Sequence, residues 1–128
     1  MVKQAIYTAN APEAIGAYSQ AIKVGQTVFI SGQIPLEPGT MNIVDEDIGA
    51  QTHRVFNNLA AVAREGGGNL DDVVKLTVFL TDLSHFSVVN EVMAEHFNPP
   101  YPARAAAGVA ALPKGVPIEI DAIVHLGD

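Results

Sequence analysis

The C-terminal segment constrains the fold most strongly, because apolar side chains occupy every second position along it. These positions alternate with mostly polar ones: Ile118, Ile120, Ala122, Val124 and Leu126 against Glu119, Asp121, Ile123 and His125. A helix would spread this pattern around its circumference, whereas a β-strand places each set on its own face. The segment therefore predicts a strand with one buried face, starting after Pro117.

Four other segments have strand character. Residues 19–24 and 27–34 flank a Gly-Gln turn and predict a hairpin. In its second strand two sets of side chains alternate: Val28, Ile30 and Gly32 on one face, and Phe29, Ser31 and Gln33 on the other. Residues 74–80 predict a strand with an apolar face: Val74, Leu76, Val78 and Leu80. Residues 103–110 are rich in alanine, which favours a helix, but the segment is short and flanked by prolines, so we interpret it as a strand.

Two segments carry apolar residues at helical spacing. The first follows Asp45 and ends at glycines 66–68, with these residues on one face: Ile48, Thr52, Val55, Leu59 and Val62. The second spans about residues 84–97, where prolines 99, 100 and 102 prevent continuation, and its shared face holds Phe86, Val89, Met93 and Phe97. The order ββαβαββ predicts an α+β fold in which two helices cover one face of a five-stranded sheet.

The sheet face that points away from the helices would carry Phe29, Ser31, Phe79 and Ile123 beside polar groups. Both helices already cover the other face and cannot cover this one. An apolar face left open predicts a partner subunit, so we expect a homo-oligomer. The alternative is a monomer whose second sheet face is partly wet.

Composition excludes several functional classes. The 128 residues are enough for one domain, expected over residues 1–128, and a net charge of -7 disfavours binding to nucleic acid or anionic membranes. The absence of cysteine excludes disulfides, thiolate nucleophiles and cysteine metal sites. No stretch approaches the roughly 20 apolar residues of a membrane span, and the first 14 residues lack the apolar run of a signal peptide. We therefore expect a soluble, cytoplasmic protein.

Common ligand and catalytic motifs are absent. Glycines 66–68 end a helix and lack the lysine and hydroxyl of a phosphate-binding loop, so we interpret them as a helix cap. Histidines 53, 85, 96 and 125 lack the spacing of a zinc site, and no serine lies in a nucleophile elbow. We expect no metal, no nucleotide and no covalent serine chemistry.

Two charged residues stand out as candidates for a site. Arg104 lies among small residues, where its guanidinium could bind a carboxylate bidentately; a structural salt bridge to an acid of the next strand is an equal alternative. Glu119 lies among apolar neighbours, where desolvation would raise its pKa, although an exposed strand acid is the commoner case. Hairpin counting does not place the two opposite each other, so cooperation would need a bulge, a diagonal contact or a subunit boundary.

Six short blocks run along nearly the whole chain in one order: residues 15–21 (IGAYSQA), 31–35 (SGQIP), 88–91 (VVNE), 102–104 (PAR), 110–115 (AALPKG) and 118–120 (IEI). Together these blocks resemble the RidA/YjgF family of reactive intermediate deaminases. The resemblance implies a chorismate-mutase-like fold in a homotrimer, with the sheets inside, the helices outside and clefts between subunits. It also implies cofactor-free hydrolysis of 2-imino or 2-enamino acids, such as 2-iminobutyrate and 2-iminopropionate, to 2-oxo acids and ammonia.

The same resemblance implies roles for individual residues. Arg104 would hold the substrate carboxylate, and Glu119 would position and activate the attacking water. The other residues of the implied pocket are Tyr18, Ser31, Phe86, Asn90 and Ala106. Many bacterial relatives have cysteine where Ala106 stands, in a contact that uses the backbone, and proline where Ala17 stands, so Ala17 is expected to loosen the loop that carries Tyr18.

Two other functions compete with deamination. A non-catalytic regulatory trimer could bind small carboxylates through Arg104 alone, but such a protein has no use for the adjacent acid Glu119. RNA cleavage or inhibition of translation is attached to some members of the family that the sequence resembles. The acidic charge of this chain makes that alternative the weakest.

Overall fold

The structure, a computed structural model, describes residues 2–44 and 47–127. Six strands form one sheet: β1 Gln4–Ile6, β2 Ala21–Val24, β3 Thr27–Gln33, β4 Val73–Leu80, β5 Ala103–Gly108 and β6 Ile118–His125. Their order across the sheet is β1-β2-β3-β6-β4-β5, and all neighbours are antiparallel except β4 and β5. The α+β class and the order of the predicted elements are confirmed, but the sheet has six strands. The sequence prediction omits β1 because three residues are too few to show alternation.

Two helices cover one face of this sheet: α1 Ile48–Glu65 and α2 Phe86–His96. Each connects strands that run in the same direction, α1 from β3 to β4 and α2 from β4 to β5. Such crossovers have one preferred hand, which places both helices on the same side of the sheet. No helix in residues 2–44 and 47–127 is long and apolar enough to cross a membrane.

Helix α1 has clear signals at both ends. The Asp47 carboxylate accepts hydrogen bonds from the backbone N–H groups of Gly49 and Ala50. At the other end, the Gly66 and Gly68 N–H groups bond the carbonyls of the last turn, and Gly67 has a φ of +104°. The predicted glycine cap is thereby confirmed. Asp45, the predicted start of the helix, lies outside the described residues.

The core lies between the helices and the sheet, and it confirms most of the predicted apolar positions. The fully buried side chains include Val28, Thr52, Val55, Phe56, Leu59, Leu76, Val78, Leu80, Ile118 and Ile120. The Thr52 hydroxyl is satisfied because it donates to the Ile48 carbonyl at 2.7 Å. Burying each large side chain contributes roughly 1.5–3 kcal/mol, so this layer supplies most of the driving force for folding.

One predicted core position in β4 is wrong. Val74 is 47% exposed, whereas Val73 is 5% exposed and occupies the core side. The cause is a β-bulge, since Val73 pairs with Val124 while Lys75 pairs with the adjacent Ile123. The extra residue turns Val74 out of the alternating pattern.

The sheet face opposite the helices is only partly covered. Phe29 is 48% exposed, and Phe79 and Ile123 are half-buried. The predicted open face is therefore present in the chain. It also carries the acidic side chains of Glu119 and Asp121.

Candidate active site

Glu119 lies in a cavity of about 480 Å³ on the open side of the sheet. It is the second residue of β6 and pairs with Phe79, so its side chain points away from the core residues Ile118 and Ile120. The walls come from the N-terminal segment, β3 and its following loop, and the turn before β6; they include Tyr18, Ser31, Gly32, Met41 and Lys114. The cavity therefore surrounds the carboxylate with groups from four parts of the chain.

The surroundings of Glu119 favour its neutral form. Burial raises the pKa of Glu119, and the negative charge of Asp121 raises it further. Asp121 is two residues along the same strand and so shares its face. Within the described ranges, the Glu119 carboxylate has no hydrogen-bond or ion-pair partner. It is available to exchange a proton with a bound molecule.

Gly32 makes room for this carboxylate. A Cβ built on Gly32 would overlap the Glu119 side chain, so no larger residue fits without displacing it. The prediction that Gly32 faces the core and Gln33 the other face is wrong, because Gln33 is buried. A register shift between Ile30 and Gln33 is the cause. A glycine inside a strand is a known signal for close approach, but the identity of the neighbour follows only from the strand pairing.

Tyr18 and Ser31 both line the cavity. The Tyr18 side chain is 55% exposed, and its hydroxyl accepts a hydrogen bond from the Ile15 N–H at 3.3 Å. The Ser31 hydroxyl donates to the Ser19 carbonyl at 2.6 Å. Because that proton is already used, the Ser31 oxygen can offer only lone pairs to a ligand.

Gln20 holds the N-terminal segment that contains Tyr18 in place, and the sequence did not single it out. Gln20 is 3% exposed, and its side chain bonds the segment before it in both directions. Its Nε2 donates to the Thr8 carbonyl at 3.0 Å and the Pro12 carbonyl at 2.8 Å, while its Oε1 accepts from the Thr8 N–H at 2.7 Å. A buried amide with these bonds fixes the N-terminal segment against β2.

Arg104 lies on the helix side of the edge strand β5. It pairs with Leu76, whose side chain is in the core. Its Nη1 donates to Asn90 Oδ1 at 2.8 Å and to Met93 Sδ at 3.5 Å, and its Cζ lies 4.6 Å from the centroid of the Phe86 ring. The predicted residues Phe86, Asn90 and Arg104 are thus brought together.

The positive charge of Arg104 is not neutralised by a described carboxylate. No carboxylate in residues 2–44 and 47–127 lies within ion-pair distance of it, which removes the alternative of a salt bridge to a neighbouring described strand. All six residues of β5 are exposed, including Ala106, which shares the face of Arg104. The outer edge of β5 and the Arg104 guanidinium therefore form one exposed surface, which we call the Arg104 ledge.

A single chain does not bring Arg104 and Glu119 together. Strand β4 separates them, and the register places Arg104 at Leu76 but Glu119 at Phe79. Two strand spacings and three residues correspond to roughly 14 Å between the Cα atoms. Their side chains also point to opposite faces of the sheet. A bulge or a diagonal contact within one chain is therefore excluded.

No group of three or more His, Cys, Asp or Glu side chains within the described part of the chain could hold a metal ion.

Comparison with known proteins decides the family. A family model described as Endoribonuclease L-PSP matches residues 8–126. A crystal structure of RidA from Psychrobacter superposes with a TM-score of 0.92 at 53% identity, covering 95% of this chain and 98% of that one. The chain belongs to the RidA/YjgF family.

Two curated relatives of this family show how its members are named. A RutC family protein of Pyrococcus abyssi is 51% identical over 98% of each chain. The 2-iminobutanoate/2-iminopropanoate deaminase of Homo sapiens is 41% identical over 99% of this chain and 93% of its own length. The RidA/YjgF resemblance drawn from the sequence is therefore confirmed, and a deaminase name occurs among the relatives.

Proposed function

We propose that this protein is a deaminase that hydrolyses reactive 2-imino and 2-enamino acids, such as 2-iminobutyrate and 2-iminopropionate, to 2-oxo acids and ammonia. The observation that carries the proposal is Glu119, a carboxylate with a raised pKa and no partner among the described residues, inside a cavity. Arg104 complements it as a cation that has no ion pair with the described carboxylates and is suited to a substrate carboxylate. The deaminase name of the Homo sapiens relative supports the same chemistry.

The separation of the two residues leads to a proposal about assembly. Because one chain holds Arg104 and Glu119 on opposite sheet faces, a complete site needs Arg104 of one subunit beside Glu119 of another. The open sheet face and the exposed edge of β5 are suited to such packing. We propose a homotrimer with the sheets inside and three clefts between subunits, each containing both residues.

Arg104 is proposed to hold the substrate carboxylate. Asn90 and the Met93 sulfur use Nη1, which leaves Nε and Nη2 for the ligand. Phe86 supports the flat face of the guanidinium. A fork fixed in this way loses little freedom on binding and orients the C=N carbon toward the opposite wall.

Glu119 is proposed to handle the protons of the hydrolysis. A protonated imine is electrophilic at C2, so the carboxylate takes a proton from water as the water oxygen bonds C2. The resulting carbinolamine receives that proton on nitrogen. The carboxylate then takes the hydroxyl proton as the C=O bond forms and the C–N bond breaks, and it passes this proton to the departing ammonia, which leaves as ammonium beside the 2-oxo acid. The raised pKa brings this exchange closer to neutral pH, where such a group contributes roughly 10²- to 10⁴-fold.

The other lining residues have smaller proposed roles. Ser31 would accept a hydrogen bond from the substrate nitrogen, since its own proton is donated to the Ser19 carbonyl. Tyr18 would close the mouth of the cavity, and Ala106 would contact the ligand through the accessible backbone of β5. No cofactor is required by this scheme, and a cytoplasmic location stays a prediction.

The competing functions make different demands. A regulatory protein that only binds small carboxylates needs Arg104 but gains nothing from a desolvated acid. An RNA-cleaving activity, suggested by the description of the family model, would show salt-sensitive RNA binding, which the net charge of -7 opposes.

The test is to generate 2-iminobutyrate from threonine with a dehydratase in the presence of semicarbazide, and to measure trapped imine with and without the protein. We expect the protein to reduce trapping by converting imine to 2-oxobutyrate. Glu119→Gln should bind 2-oxobutyrate without accelerating hydrolysis, whereas Arg104→Ala should do neither. Unchanged trapping with the purified wild-type protein would disprove the deaminase function.

A further inference from the structure

Two residues that line the Glu119 cavity have an unusual backbone. Met41 has a φ of +62° and Lys114 a φ of +58°, and they are the non-glycine residues with positive φ in residues 2–44 and 47–127. In this left-handed region the Cβ crowds the following carbonyl, so glycine or asparagine is favoured there. Strained residues of this kind cluster at functional sites. Both residues line one cavity, which makes them candidates for contact with a bound ligand.

The turns themselves do not account for the choice of side chain. The turn at Lys114 is closed by backbone bonds, from the Gly115 N–H to the Leu112 carbonyl at 3.1 Å and from the Val116 N–H to the Pro113 carbonyl at 3.3 Å. The Met41 turn is closed by its own N–H, which donates to the Glu37 carbonyl at 2.9 Å. A glycine would make these same bonds at either position with less strain.

Lys114 carries the positive charge in the lining of the Glu119 cavity. The charged residues of its lining are Glu13, Lys114 and Glu119, so one cation stands beside two acids in a protein of net charge -7. The Lys114 ammonium has no hydrogen-bond or ion-pair partner among the described residues. An anionic ligand that approaches Glu119 would be repelled without it.

Met41 supplies a different kind of contact. Its side chain is unbranched and flexible, and it lies with Ile34 and Leu36 on the apolar part of the lining. A thioether of this type adapts to apolar groups of several shapes. The cavity therefore offers a cation for one end of a ligand and an adaptable apolar surface for the other.

We infer that Lys114 and Met41 are specificity residues of this cavity. Lys114 offsets the negative charge of Glu13 and Glu119 as an anionic ligand enters, so that the carboxylate of the ligand can reach Arg104 of the neighbouring subunit. Met41 packs against the side chain of the ligand, so the preferred ligands are 2-imino and 2-oxo acids with apolar side chains longer than that of 2-iminobutyrate. The identity of the reacting group rests on the proposed function, but the binding preference can be measured on stable 2-oxo acids.

The first experiment separates charge from strain at Lys114. Lys114→Gln removes the charge and keeps a side chain that is strained at this φ. Lys114→Asn removes the charge and introduces a residue that adopts the left-handed conformation with less strain. Both should raise the KM for imine, and the Kd for 4-methyl-2-oxopentanoate, by roughly 3- to 10-fold with kcat nearly unchanged. Only Lys114→Asn should raise the melting temperature, by roughly 2–6 °C. The matched control is Arg64→Gln, which removes one exposed charge from the helix layer and should leave KM and Kd unchanged.

The second experiment changes the apolar wall. Met41→Asn should raise the Kd for 4-methyl-2-oxopentanoate by about 4-fold for each methylene that loses its contact. The Kd for 2-oxobutyrate should change by less than about 2-fold. Equal effects on both ligands would overturn the role of Met41. A Lys114→Gln Kd equal to that of wild type would overturn the role of Lys114.

The same measurements keep this inference apart from the proposed function. If wild-type protein binds 2-oxo acids in a Lys114-dependent way but does not hydrolyse imine, the specificity residues stand and the deaminase function fails. If imine is hydrolysed and neither variant changes KM or Kd, the deaminase function stands and this inference fails.

Discussion

The Glu119 cavity and the Arg104 ledge contrast in almost every physical property. The cavity is built from loops and two inner strands, and burial raises the pKa of its acid. The ledge is an edge strand of small exposed residues with one guanidinium held by α2. The two regions face opposite sides of one sheet, and each supplies one of the two charged residues that the proposed function uses. The contrast teaches that one chain holds the two charged residues apart, so the proposed reaction needs a second subunit to bring them together.

The largest expected effect comes from removing the ledge cation. Arg104→Ala should lower kcat/KM by roughly 10²- to 10⁴-fold, because two charge-assisted hydrogen bonds to the substrate carboxylate are lost. Thermal stability should change little, since the side chain is exposed and has no ion pair within the described chain. Steady-state kinetics and a melting curve measure the two quantities. Arg104→Lys serves as control and should recover part of the activity, and full activity in Arg104→Ala would contradict the ledge as the carboxylate site.

Removing the acid should affect catalysis without harming the fold. Glu119→Gln should lower kcat by at least about 10²-fold while the Kd for 2-oxobutyrate stays close to that of wild type. Because the pKa of Glu119 is raised in the folded state, the folded chain binds the proton more tightly than the unfolded chain does. This contribution to the free energy of unfolding is complete at low pH and is lost as pH rises from the unfolded pKa through the folded pKa. Glu119→Gln should therefore melt at the same or a higher temperature than wild type at pH 7. A clear drop in melting temperature would mean that the acid has a structural role.

A substitution at Gly32 tests how closely the backbone of β3 approaches the Glu119 carboxylate. Gly32→Ala places a methyl group where the Glu119 carboxylate lies, so the carboxylate must move and kcat should fall by roughly 10-fold or more. The loss of stability should be small, because the displaced group is the end of a flexible side chain. Gly49→Ala is the matched control, because its Cβ would meet neighbours only at ordinary contact distance on α1. Activity and denaturant unfolding should show no loss in the control. Equal behaviour of the two variants would refute the close approach at Gly32.

The smallest expected effect lies in the helix layer, away from both regions. Burial, then the nearby His53, lowers the pKa of His96 below its ordinary 6.5, and the two rings are 2.8 Å apart between His53 Nδ1 and His96 Nε2. As pH falls below 6.5, the unfolded chain takes up the proton before the folded chain does, so stability falls. Melting temperatures between pH 7.5 and 5.5 should decrease less in His96→Gln than in wild type. Identical slopes would show that His96 does not set this dependence.

The sequence predicted the parts of the fold that repeat a simple pattern. The alternation from Ile118 to Val124 and the apolar face of α1 were sufficient to find the central strand and its covering helix. The bulges that expose Val74 and turn Gly32 toward Glu119 were not predictable, because each inserts one residue into a register that only strand pairing defines. The short β1 also lacks a pattern, since its burial depends on β2.

The candidate site was predictable as residue types but not as geometry. Arg104 among alanines and Glu119 among isoleucines are visible in the sequence. Their placement on opposite faces follows from β4 pairing with both β5 and β6, which no local pattern reveals. Gln20, and the left-handed backbone at Met41 and Lys114, were missed because they depend on long-range hydrogen bonds and turn conformation.

The most direct test of the central claim is complementation between two inactive variants. Arg104→Ala and Glu119→Gln subunits are each inactive alone, and the two are refolded together at equal amounts. If every site takes Arg104 from one subunit and Glu119 from its neighbour, random assembly restores both residues in about a quarter of the clefts, and about a quarter of wild-type imine hydrolysis returns. Mixed assemblies as inactive as either parent would contradict a site shared between subunits.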